Sequence, residues 1–353
     1  MKDIKAFIER VGFPVIVRPS YVISGSSMKI ANNMRELSGY IESATSISPQ
    51  YPIIISSFIR EGIEAELDCA ADGGNAIGVA LCHVEEAGVH SGDATIATPY
   101  LDAKPVSGMK EIALRLVSEL SIKGPFNIQF IIKDGKPLVI ELNVRASRSM
   151  PFASKSVGIN LMDYAVKGCM GKYSWNGFRE PKHHSFAVKS PQFSWGALRG
   201  SYPHLGPEMR STGESAAFGR TFESALLKSW LGAQPNRLPK STVLIYGDVD
   251  RSILKETADI LSKGIKVSTL DFAPMHGHYT IDSDKALDLM SNKSIDLVIT
   301  SNGMEGQDYT IRKRAVDMNI PLVLNARLAR ALAKSFFIKD IDCEEMKAYW
   351  KKD

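Results

Sequence analysis

The sequence predicts an α/β protein in which an α+β region is followed by a doubly wound parallel α/β region. One observation is a hairpin pattern at 127–148, where two apolar strands flank Lys133-Asp134-Gly135. Another is the regular alternation of strand and helix patterns after residue 241. The segment 232–241, which carries glycine and proline, has the composition of a linker. We therefore predict domains at 1–172 and 241–353, joined by a C-terminal extension and linker at 173–240.

Composition excludes several classes of protein. The chain has 353 residues, is 44% hydrophobic and 23% charged, and carries a formal net charge of +4. Such a small and scattered positive charge gives no reason to expect a nucleic-acid partner. The sequence has neither an apolar run long enough to span a membrane nor a signal peptide, so we expect a cytoplasmic protein. The four cysteines show no metal-binding spacing, which favours reduced thiols.

The first region begins with a predicted helix at 2–11 and a strand at 13–20. The small residues of 21–28 form a loop whose amides could cover phosphates, although the segment by itself favours an ordinary β-turn. A helix at 34–46 and a strand at 51–58 follow. The alternating segment 63–71 predicts a half-buried strand with Glu64, Glu66 and Asp68 on one side. We interpret Glu66 and Asp68 as part of a solvated face.

The segment 83–94 is rich in residues that bind ligands. Gly88 and Gly92 allow a tight backbone path that could present main-chain groups to a ligand. His90, Ser91 and Asp93 include the residue types of a hydrolytic triad, but three nearly adjacent residues cannot normally meet in that geometry. A predicted helix at 110–120 then leads into the hairpin.

The outgoing strand of the hairpin ends in carboxylate, amide and guanidinium side chains. Glu141 and Asn143 are two residues apart and therefore share a face. If Gln129 is to join them, the connecting loop must hold an odd number of residues. We therefore predict a three-residue loop with Gly135 in the left-handed conformation. Such a set suits a magnesium-bound polyphosphate, although an amphipathic hairpin with solvated polar ends fits the hairpin alone equally well.

Several segments in one order carry a resemblance to a known family. They are 13–21 (Phe-Pro-Val-Ile-Val-Arg-Pro-Ser-Tyr), 83–93, the hairpin at 127–148, and the motifs at 205–214 and 219–222. Together they resemble the second ATP-grasp unit of the carbamoyl-phosphate synthase large chain, and the resemblance extends over the whole chain. The motifs at 205–214 and 219–222 are specific to this synthase among ATP-grasp enzymes. They argue against a biotin-carboxylase-like or phosphoribosylamine-ligase-like enzyme.

The resemblance implies a role for individual residues. It places Arg18 and the loop glycine Gly25 at the nucleotide phosphates, and Glu64 at the ribose hydroxyls. The adenine pocket would be lined by Ser57, Ile59, Gly88, Val89, His90 and Ser91. Gln129, Glu141 and Asn143 would bind Mg²⁺ or Mn²⁺, with Gln129 and Glu141 also contacting ATP. Asn143, Arg145 and Arg148 would be catalytic, the arginines stabilising phosphate and carbamate.

The implied reaction is phosphorylation of carbamate by ATP, which gives carbamoyl phosphate for arginine and pyrimidine biosynthesis. Three departures from the family pattern qualify it. The chain starts near the middle of the family's second ATP-grasp unit, so we expect another chain to supply the N-terminal part of the large subunit. A glutamine amidotransferase small subunit is the other expected partner. Ser24-Gly25-Ser26 replaces Gly-Gly-Arg, which removes a charged contact worth about 1.5–3 kcal/mol, and Val144 replaces a proline.

We expect 176–231 to be irregular, because prolines interrupt it. In the last region, strands are predicted at 242–246, 265–269, 295–300 and 321–324, with helices at 252–263, 283–291, 309–318 and 327–334. This region resembles the methylglyoxal-synthase-like regulatory domain of the same large chain. Leu270-Asp271-Phe272-Ala273 replaces that domain's phosphate loop, which argues against nucleotide monophosphate binding. Thr300, Ser301 and Asn302 retain some anion-binding capacity.

Two functional hypotheses remain open. The retained site residues favour a split or truncated carbamoyl-phosphate synthase that needs partner chains for activity. The absent lobe and the altered loop at 24–26 instead favour a non-catalytic, nucleotide-responsive or scaffolding remnant of the synthase.

Overall fold

The computed structural model describes residues 2–19, 29–47, 52–59, 62–172, 176–197, 200–301, 308–339, 341 and 343–351. The strands are β1 Val15–Pro19, β2 Lys29–Ala31, β3 Ile53–Ser57, β4 Ile63–Asp72, β5 Ala76–Glu86, β6 Ile96–Thr98, β7 Lys123–Lys133, β8 Lys136–Asn143, β9 Phe178–Arg179, β10 Phe186–Phe193, β11 Ser211–Gly219, β12 Thr242–Ile245, β13 Lys266–Leu270, β14 Tyr279–Ile281, β15 Ile295–Ile299 and β16 Leu322–Val323. The α-helices are α1 Lys2–Val11, α2 Met34–Ile47, α3 Ala103–Leu120, α4 Met150–Ser156, α5 Leu161–Cys169, α6 Phe222–Leu231, α7 Arg251–Leu261, α8 Ser283–Ser291, α9 Tyr309–Asp317 and α10 Ala326–Ser335. Short 3₁₀ helices cover Trp195–Ala197 and Met346–Trp350.

These strands form three sheets. A three-stranded antiparallel sheet has the order β2-β1-β3. An eight-stranded sheet has the order β11-β10-β6-β5-β4-β7-β8, with β9 added to β5. Its strand pairs are antiparallel except for β5 with β9. The predicted α+β character of the first region is therefore confirmed.

The third sheet is five-stranded and parallel, in the order β14-β13-β12-β15-β16. Side chains of β12 alternate between two cores, because successive residues of a strand point to opposite faces. Val243 packs with α7 and α10, whereas Leu244 packs with α8 and α9. The predicted doubly wound parallel region is confirmed. The short strand β14 was missed because its exposed Tyr279 and Thr280 leave one buried residue as a pattern.

The loop of the β7–β8 hairpin is shorter than predicted. Lys133 pairs with Lys136, so Asp134 and Gly135 alone form the turn, with φ angles of 50° and 72°. Two positive φ angles are typical of the type I′ turn, whose twist matches that of the flanking strands. The three-residue loop was therefore wrong. The prediction that Gly135 adopts a left-handed conformation was right.

The segment between the first and last regions was expected to be irregular, and this was wrong. β10 and β11 form a long antiparallel pair that extends the eight-stranded sheet, and α6 packs against both strands. Pro191 obscured β10 in the sequence. It lies beyond Ala187–Lys189, the part of β10 that pairs with β6, and so it interrupts no bond on that side. The boundaries proposed at 172 and 240 stay a prediction.

The described helices include none that combines the length and the apolar character needed to cross a membrane.

Candidate functional site on the eight-stranded sheet

Polar side chains from three neighbouring strands share one face of the eight-stranded sheet. Gln129 on β7 lies opposite Glu66 on β4 and Glu141 on β8. One step along, Asn127 lies opposite Asp68 and is also paired with Asn143. Directly opposed residues point to the same side of a sheet. The register therefore brings the predicted metal ligands Gln129, Glu141 and Asn143 to one face.

A bulge, and not the turn, produces this arrangement. Phe130 pairs with Val139 but Gln129 pairs with Glu141, which leaves Ile140 as the extra residue on β8. The extra residue moves the side chains of the rest of β8 to the opposite face of the sheet. Without it, the two-residue turn would direct Gln129 and Glu141 to opposite faces. The shared face was therefore predicted correctly from a wrong loop length.

Three of the predicted site residues, Glu141, Asn143 and Arg145, form a hydrogen-bonded chain at the end of β8. Asn143 Nδ2 donates to Glu141 Oε1 at 2.7 Å, and Arg145 Nη2 donates to Asn143 Oδ1 at 3.3 Å. Arg145 also donates to the Ala146 carbonyl at 3.1 Å. Glu141 and Asn143 are half-buried, and Arg145 and Arg148 are exposed. A carboxylate, an amide and a guanidinium group are thus joined at the end of β8.

This donor set suits a magnesium or manganese ion carried by a nucleotide. Hard divalent ions take oxygen ligands, and Mg²⁺ commonly uses one or two carboxylates with phosphates and water as its other ligands. Glu141 supplies the carboxylate, and the amides of Gln129 and Asn143 supply neutral oxygens. Within the described ranges, no three His, Cys, Asp or Glu side chains converge as a metal-binding group.

Arg148 lies against the 205–214 motif. Its Nη1 atom lies 2.8 Å from the Met209 sulfur. The same sulfur would be 2.9 Å from a Cβ atom placed on Gly92, so a side chain there would displace Met209. Gly92, Met209 and Arg148 thus lie in contact, joining the 83–94 segment to the arginine turn.

The loop at 88–93 is held at both ends by backbone hydrogen bonds. Gly88 has a φ angle of +107° and donates its N–H to Glu64 Oε1 at 2.9 Å. The Asp93 carboxylate accepts N–H groups from Arg210 and Ser211 at 2.8–3.0 Å. His90 Nδ1 accepts the Gly92 N–H at 3.0 Å. The Asp93 carboxylate and His90 Nδ1 are therefore hydrogen-bonded to the backbone and not to each other.

The loop brings some predicted adenine-wall residues together. His90 donates its backbone N–H to Gly206 at 2.8 Å, and Val89 is buried in the core beneath. The Ser91 carbonyl lies 3.3 Å from Lys189 Nζ. Burial lowers the pKa of His90, and the charges of Arg148 and Glu141 act on it in opposite directions. His90 is therefore within electrostatic range of the end of β8.

Other predicted nucleotide contacts lie in a different sheet. Arg18 is half-buried on β1 and pairs with Ile54. Ser57 is exposed at the end of β3, and Ile59 follows it. The structure thus places Arg18 and Ser57 in the three-stranded sheet, apart from the residues on β7 and β8. Gly25 and the altered loop at 24–26 lie outside the described residues.

Glu66 and Asp68 were assigned to a solvated face, and this was wrong. Their exposed fractions are 3% and 0%. Asn127 Nδ2 donates to both carboxylates, at 3.0 Å to Glu66 Oε2 and 2.9 Å to Asp68 Oδ1. Burial raises the pKa of both groups, that of Glu66 to about 7 with the help of the Asp68 charge. The alternating pattern correctly placed both residues on one side of β4. It could not show that Asn127 on β7 bonds to both carboxylates, or that Ser147 in the following turn bonds to Asp68.

Ionisable groups missed in the sequence continue this face. His83 and Glu85 on β5 and Lys189 on β10 are all at most 4% exposed. Burial raises the pKa of Glu85 to about 7 and, with the charge of Lys189, lowers that of His83 to about 3. Burial likewise raises the pKa of Glu64 to about 7. His83 Nδ1 lies 3.4 Å from Glu64 Oε2, but a neutral imidazole forms no ion pair there.

A cavity of about 580 Å³ lies elsewhere, between the eight-stranded and five-stranded sheets. Trp195, Trp230 and Leu324 line it, and Glu85 and Asp93 reach it from the sheet. Its lining does not include the end of β8.

About two thirds of the chain shares the fold of ATP-grasp biotin carboxylase domains. The biotin carboxylase domain of Hydrogenobacter thermophilus 2-oxoglutarate carboxylase, in complex with MgADP, ADP and bicarbonate, superposes with a TM-score of 0.53. The sequences are 14% identical, and the match covers 64% of this chain and 58% of that one. Campylobacter jejuni biotin carboxylase, in complex with β,γ-ATP, gives a TM-score of 0.51 at 16% identity, covering 63% of this chain and 57% of that one.

Sequence comparison is more specific. Residues 1–173 match the family model described as carbamoyl-phosphate synthase L chain, ATP binding domain. The carbamoyl phosphate synthase large chain of Saccharolobus islandicus strain L.S.2.15 is 51% identical over 346 residues, 96% of this chain and 33% of the relative. That of Saccharolobus solfataricus is 49% identical over 344 residues, with the same coverage. The chain thus spans about a third of the length of these relatives. The methylglyoxal-synthase-like assignment of the last region stays a prediction.

Proposed function

We propose that this chain phosphorylates carbamate with ATP, as the part of a carbamoyl-phosphate synthase large subunit that makes carbamoyl phosphate for arginine and pyrimidine biosynthesis. The observation that carries the proposal is the placement of Gln129, Glu141 and Asn143 on one sheet face, with Arg145, bonded to Asn143, and Arg148 on the adjoining turn. The identity of about half to synthase large chains, over 96% of this chain, supports it.

The proposed chemistry joins two anions. A carbamate oxygen attacks the γ-phosphorus of ATP, the bond between that phosphorus and the β,γ-bridging oxygen breaks, and ADP leaves. ATP bound with Mg²⁺ or Mn²⁺ supplies the phosphoryl group and part of the charge neutralisation. Arg145 and Arg148 supply the remaining positive charge without forming a covalent intermediate. Asn143 would hold Arg145 at its oxygen while it orients Glu141 through its amide nitrogen.

The nucleotide would extend from this set toward the three-stranded sheet. In the proposal, Glu64 and the 88–91 loop contact the ribose and adenine, and Ser57, Ile59 and Arg18 contribute from β1 and β3. The Gly88 N–H that Glu64 holds at 2.9 Å supports this, because it ties the ribose residue to the loop. When a nucleotide binds, Glu64 would either release the Gly88 N–H or accept hydrogen bonds from both that N–H and the ribose hydroxyls.

We further propose that the rest of a large subunit, on another chain, and a glutamine amidotransferase small subunit complete the enzyme. The large chains that this chain resembles are about three times as long. β8 is the last strand on its side of the sheet, and it exposes Leu138, Val139 and Ile140 by 39–46%. A contiguous apolar edge of this kind is typical of a surface that another segment covers.

For the last region we propose an allosteric, methylglyoxal-synthase-like role without an inherited nucleotide monophosphate site. The loop after β13 supports this. Asp271 places its carboxylate on the Phe272 N–H at 2.9 Å, and its own N–H bonds to Ile281. The N–H groups of Asp271 and Phe272 are therefore already hydrogen-bonded, and the Asp271 carboxylate would repel a phosphate there. Its effector would come from a different class of molecule.

The proposal is tested by ATP synthesis from carbamoyl phosphate and ADP with magnesium present. The chain is assayed alone and mixed with a candidate partner that supplies the rest of the large subunit. Synthesis in the mixture, abolished by Glu141→Ala, is the expected result. MgADP binding without turnover in either sample would instead support the non-catalytic, nucleotide-responsive alternative. Absence of both binding and turnover would contradict the proposal and leave a scaffolding role.

A further inference from the structure

The turn that carries both predicted catalytic arginines is anchored by one serine hydroxyl. The turn runs from the end of β8 at Asn143 to the start of α4 at Met150. Ser147, which lies between Arg145 and Arg148 in the sequence, donates its hydroxyl hydrogen to Asp68 Oδ1 in a short hydrogen bond. Its oxygen accepts the Met150 N–H at 3.0 Å and the Ser149 hydroxyl at 3.1 Å. One donor and two acceptor positions are all that a hydroxyl has, so Ser147 is fully used.

The acceptor of this bond belongs to the rigid centre of the sheet. Asp68 lies on β4, which is paired on both sides with β5 and β7, and its side chain is fully buried. Asn127 holds the same Oδ1 atom at 2.9 Å and is itself paired across the sheet with Asn143. The turn is thus fixed at β8 through the strand register and at Ser147 through Asp68.

Asp68 also acts on the arginines by charge. Its carboxylate is close enough for the positive charge of Arg145 to stabilise its ionised form. Oδ2 has no hydrogen-bond partner among the described residues, whereas Oδ1 has two. The buried carboxylate beneath the turn thus lies within electrostatic range of Arg145, and its bond to Ser147 fixes the backbone of the turn. An error of about 1 Å in such placement can cost on the order of 100-fold in rate.

We propose that Asp68, acting through Ser147, is a positioning residue that sets the arginine turn for oxyanion binding at the end of β8. The proposal rests on the proposed function for the identity of the reaction, but not for the presence of an oxyanion subsite. It predicts two separate effects of breaking the Asp68–Ser147 bond. Binding of a simple oxyanion weakens, and turnover falls through kcat while the KM for ADP stays near its original value.

The test compares Ser147→Ala, Ser147→Thr and Asn160→Ala in the full chain. Ser147→Ala removes the bond to Asp68, and Ser147→Thr keeps the hydroxyl. Asn160→Ala is the control, because it removes a helix cap, the bond from the Met162 N–H at 3.1 Å, on neighbouring α5 without touching the turn. Calorimetry with inorganic phosphate in the presence of MgADP measures binding to each variant. ATP synthesis from carbamoyl phosphate, in the mixture with the completing chain, gives kcat and KM.

We expect Ser147→Ala to weaken phosphate binding and to lower kcat, each by at least about tenfold. Ser147→Thr should restore both, and Asn160→Ala should change neither. If the wild-type chain binds phosphate with this pattern but makes no ATP, the proposed reaction fails and the positioning role stands. The positioning role is overturned if Ser147→Ala binds phosphate as the wild type does. Failure of Ser147→Thr to rescue, or absence of phosphate binding by the wild type, would overturn it equally.

Discussion

Glu141 is the single carboxylate in the predicted metal set, and its oxygen is already held at 2.7 Å by Asn143. Removal of its charge should therefore abolish metal-dependent turnover. We expect Glu141→Ala to lower ATP synthesis from carbamoyl phosphate by on the order of 100-fold or more, as loss of one transition-state ligand commonly does. The residue is half-buried at the end of an edge strand, so the thermal unfolding midpoint should change little. Persistent turnover in this variant would show that the metal assignment is wrong.

Buried carboxyl groups also make stability depend on pH. Burial raises the pKa of Glu85 from 4.5 to about 7, since its ionised form is poorly solvated in the interior of the protein. A carboxyl with a raised folded-state pKa binds its proton more tightly in the native state than in the unfolded chain. Its contribution to the free energy of unfolding is therefore greatest below pH 4.5 and is lost as the pH rises to about 7. The charge of Lys189 acts in the opposite direction and reduces this loss.

Glu85→Gln should remove this pH dependence. Glutamine stays neutral, and its carbonyl can still accept the Thr95 N–H that Glu85 Oε2 accepts at 2.8 Å. We expect the variant to gain about 1–3 kcal/mol relative to the wild type between pH 5 and pH 8, by linkage. Urea unfolding at both pH values measures the difference. Stability curves that stay parallel across this range would mean that Glu85 is ionised in the native state.

Among the structural elements, α5 is fitted closely against β4. Gly168 lies near the end of α5, and a Cβ atom there would overlap the carbonyl oxygen of Ala71. Backbone cannot move aside as a flexible side chain can. Gly168→Ala should therefore destabilise the protein by about 2–4 kcal/mol, in the range of overpacked sites, although alanine has the better helix propensity.

Gly39 on α2 supplies the matched control. A Cβ atom there has no neighbour within 4 Å, and the residue is exposed. Gly39→Ala should stabilise the protein by roughly 0.5–1 kcal/mol through helix propensity alone. Opposite signs for the two substitutions in urea unfolding would confirm the close contact of α5 with β4. A stabilising effect of both would mean that the helix and strand can separate without cost.

The elements also show which features a sequence can predict. Periodicity found α1, α2, β4 and the alternating strands and helices of the last region, because each has an apolar pattern longer than a turn. It missed β10, where Pro191 and buried Lys189 interrupt the apolar run. It also gave the wrong loop between β7 and β8, since the bulge at Ile140 has no sequence signal of its own. The burial of Asp68 depends on tertiary contacts with Asn127 and Ser147, which no local pattern contains.

At the scale of the whole molecule, the five-stranded sheet is joined to the segment before the 205–214 motif by a buried arginine. Arg312 on α9 has no exposed surface and pairs with Asp308 at 2.6 Å. It donates to the Pro203 carbonyl at 2.7 Å and to the Ser301 carbonyl at 3.0 Å. Tyr202 donates to the same aspartate at 2.7 Å and stacks under the guanidinium. One side chain thus links the end of β15 to a segment that leads to Met209 and Arg148.

Arg312→Ala should therefore destabilise the molecule far more than Lys313→Ala, the same substitution at the next residue of α9. It leaves the Asp308 carboxylate and two carbonyls without their buried partner, a change that typically costs about 3–5 kcal/mol. Lys313→Ala on the same helix breaks an exposed pair with Asp317 at 2.5 Å and should cost less than about 0.5 kcal/mol. Urea unfolding followed by tryptophan fluorescence reports on Trp195 and Trp230, which line the cavity between the sheets. Equal effects of the two substitutions would mean that Arg312 does not hold the sheets together, whereas an early separate transition in Arg312→Ala alone would show that it does.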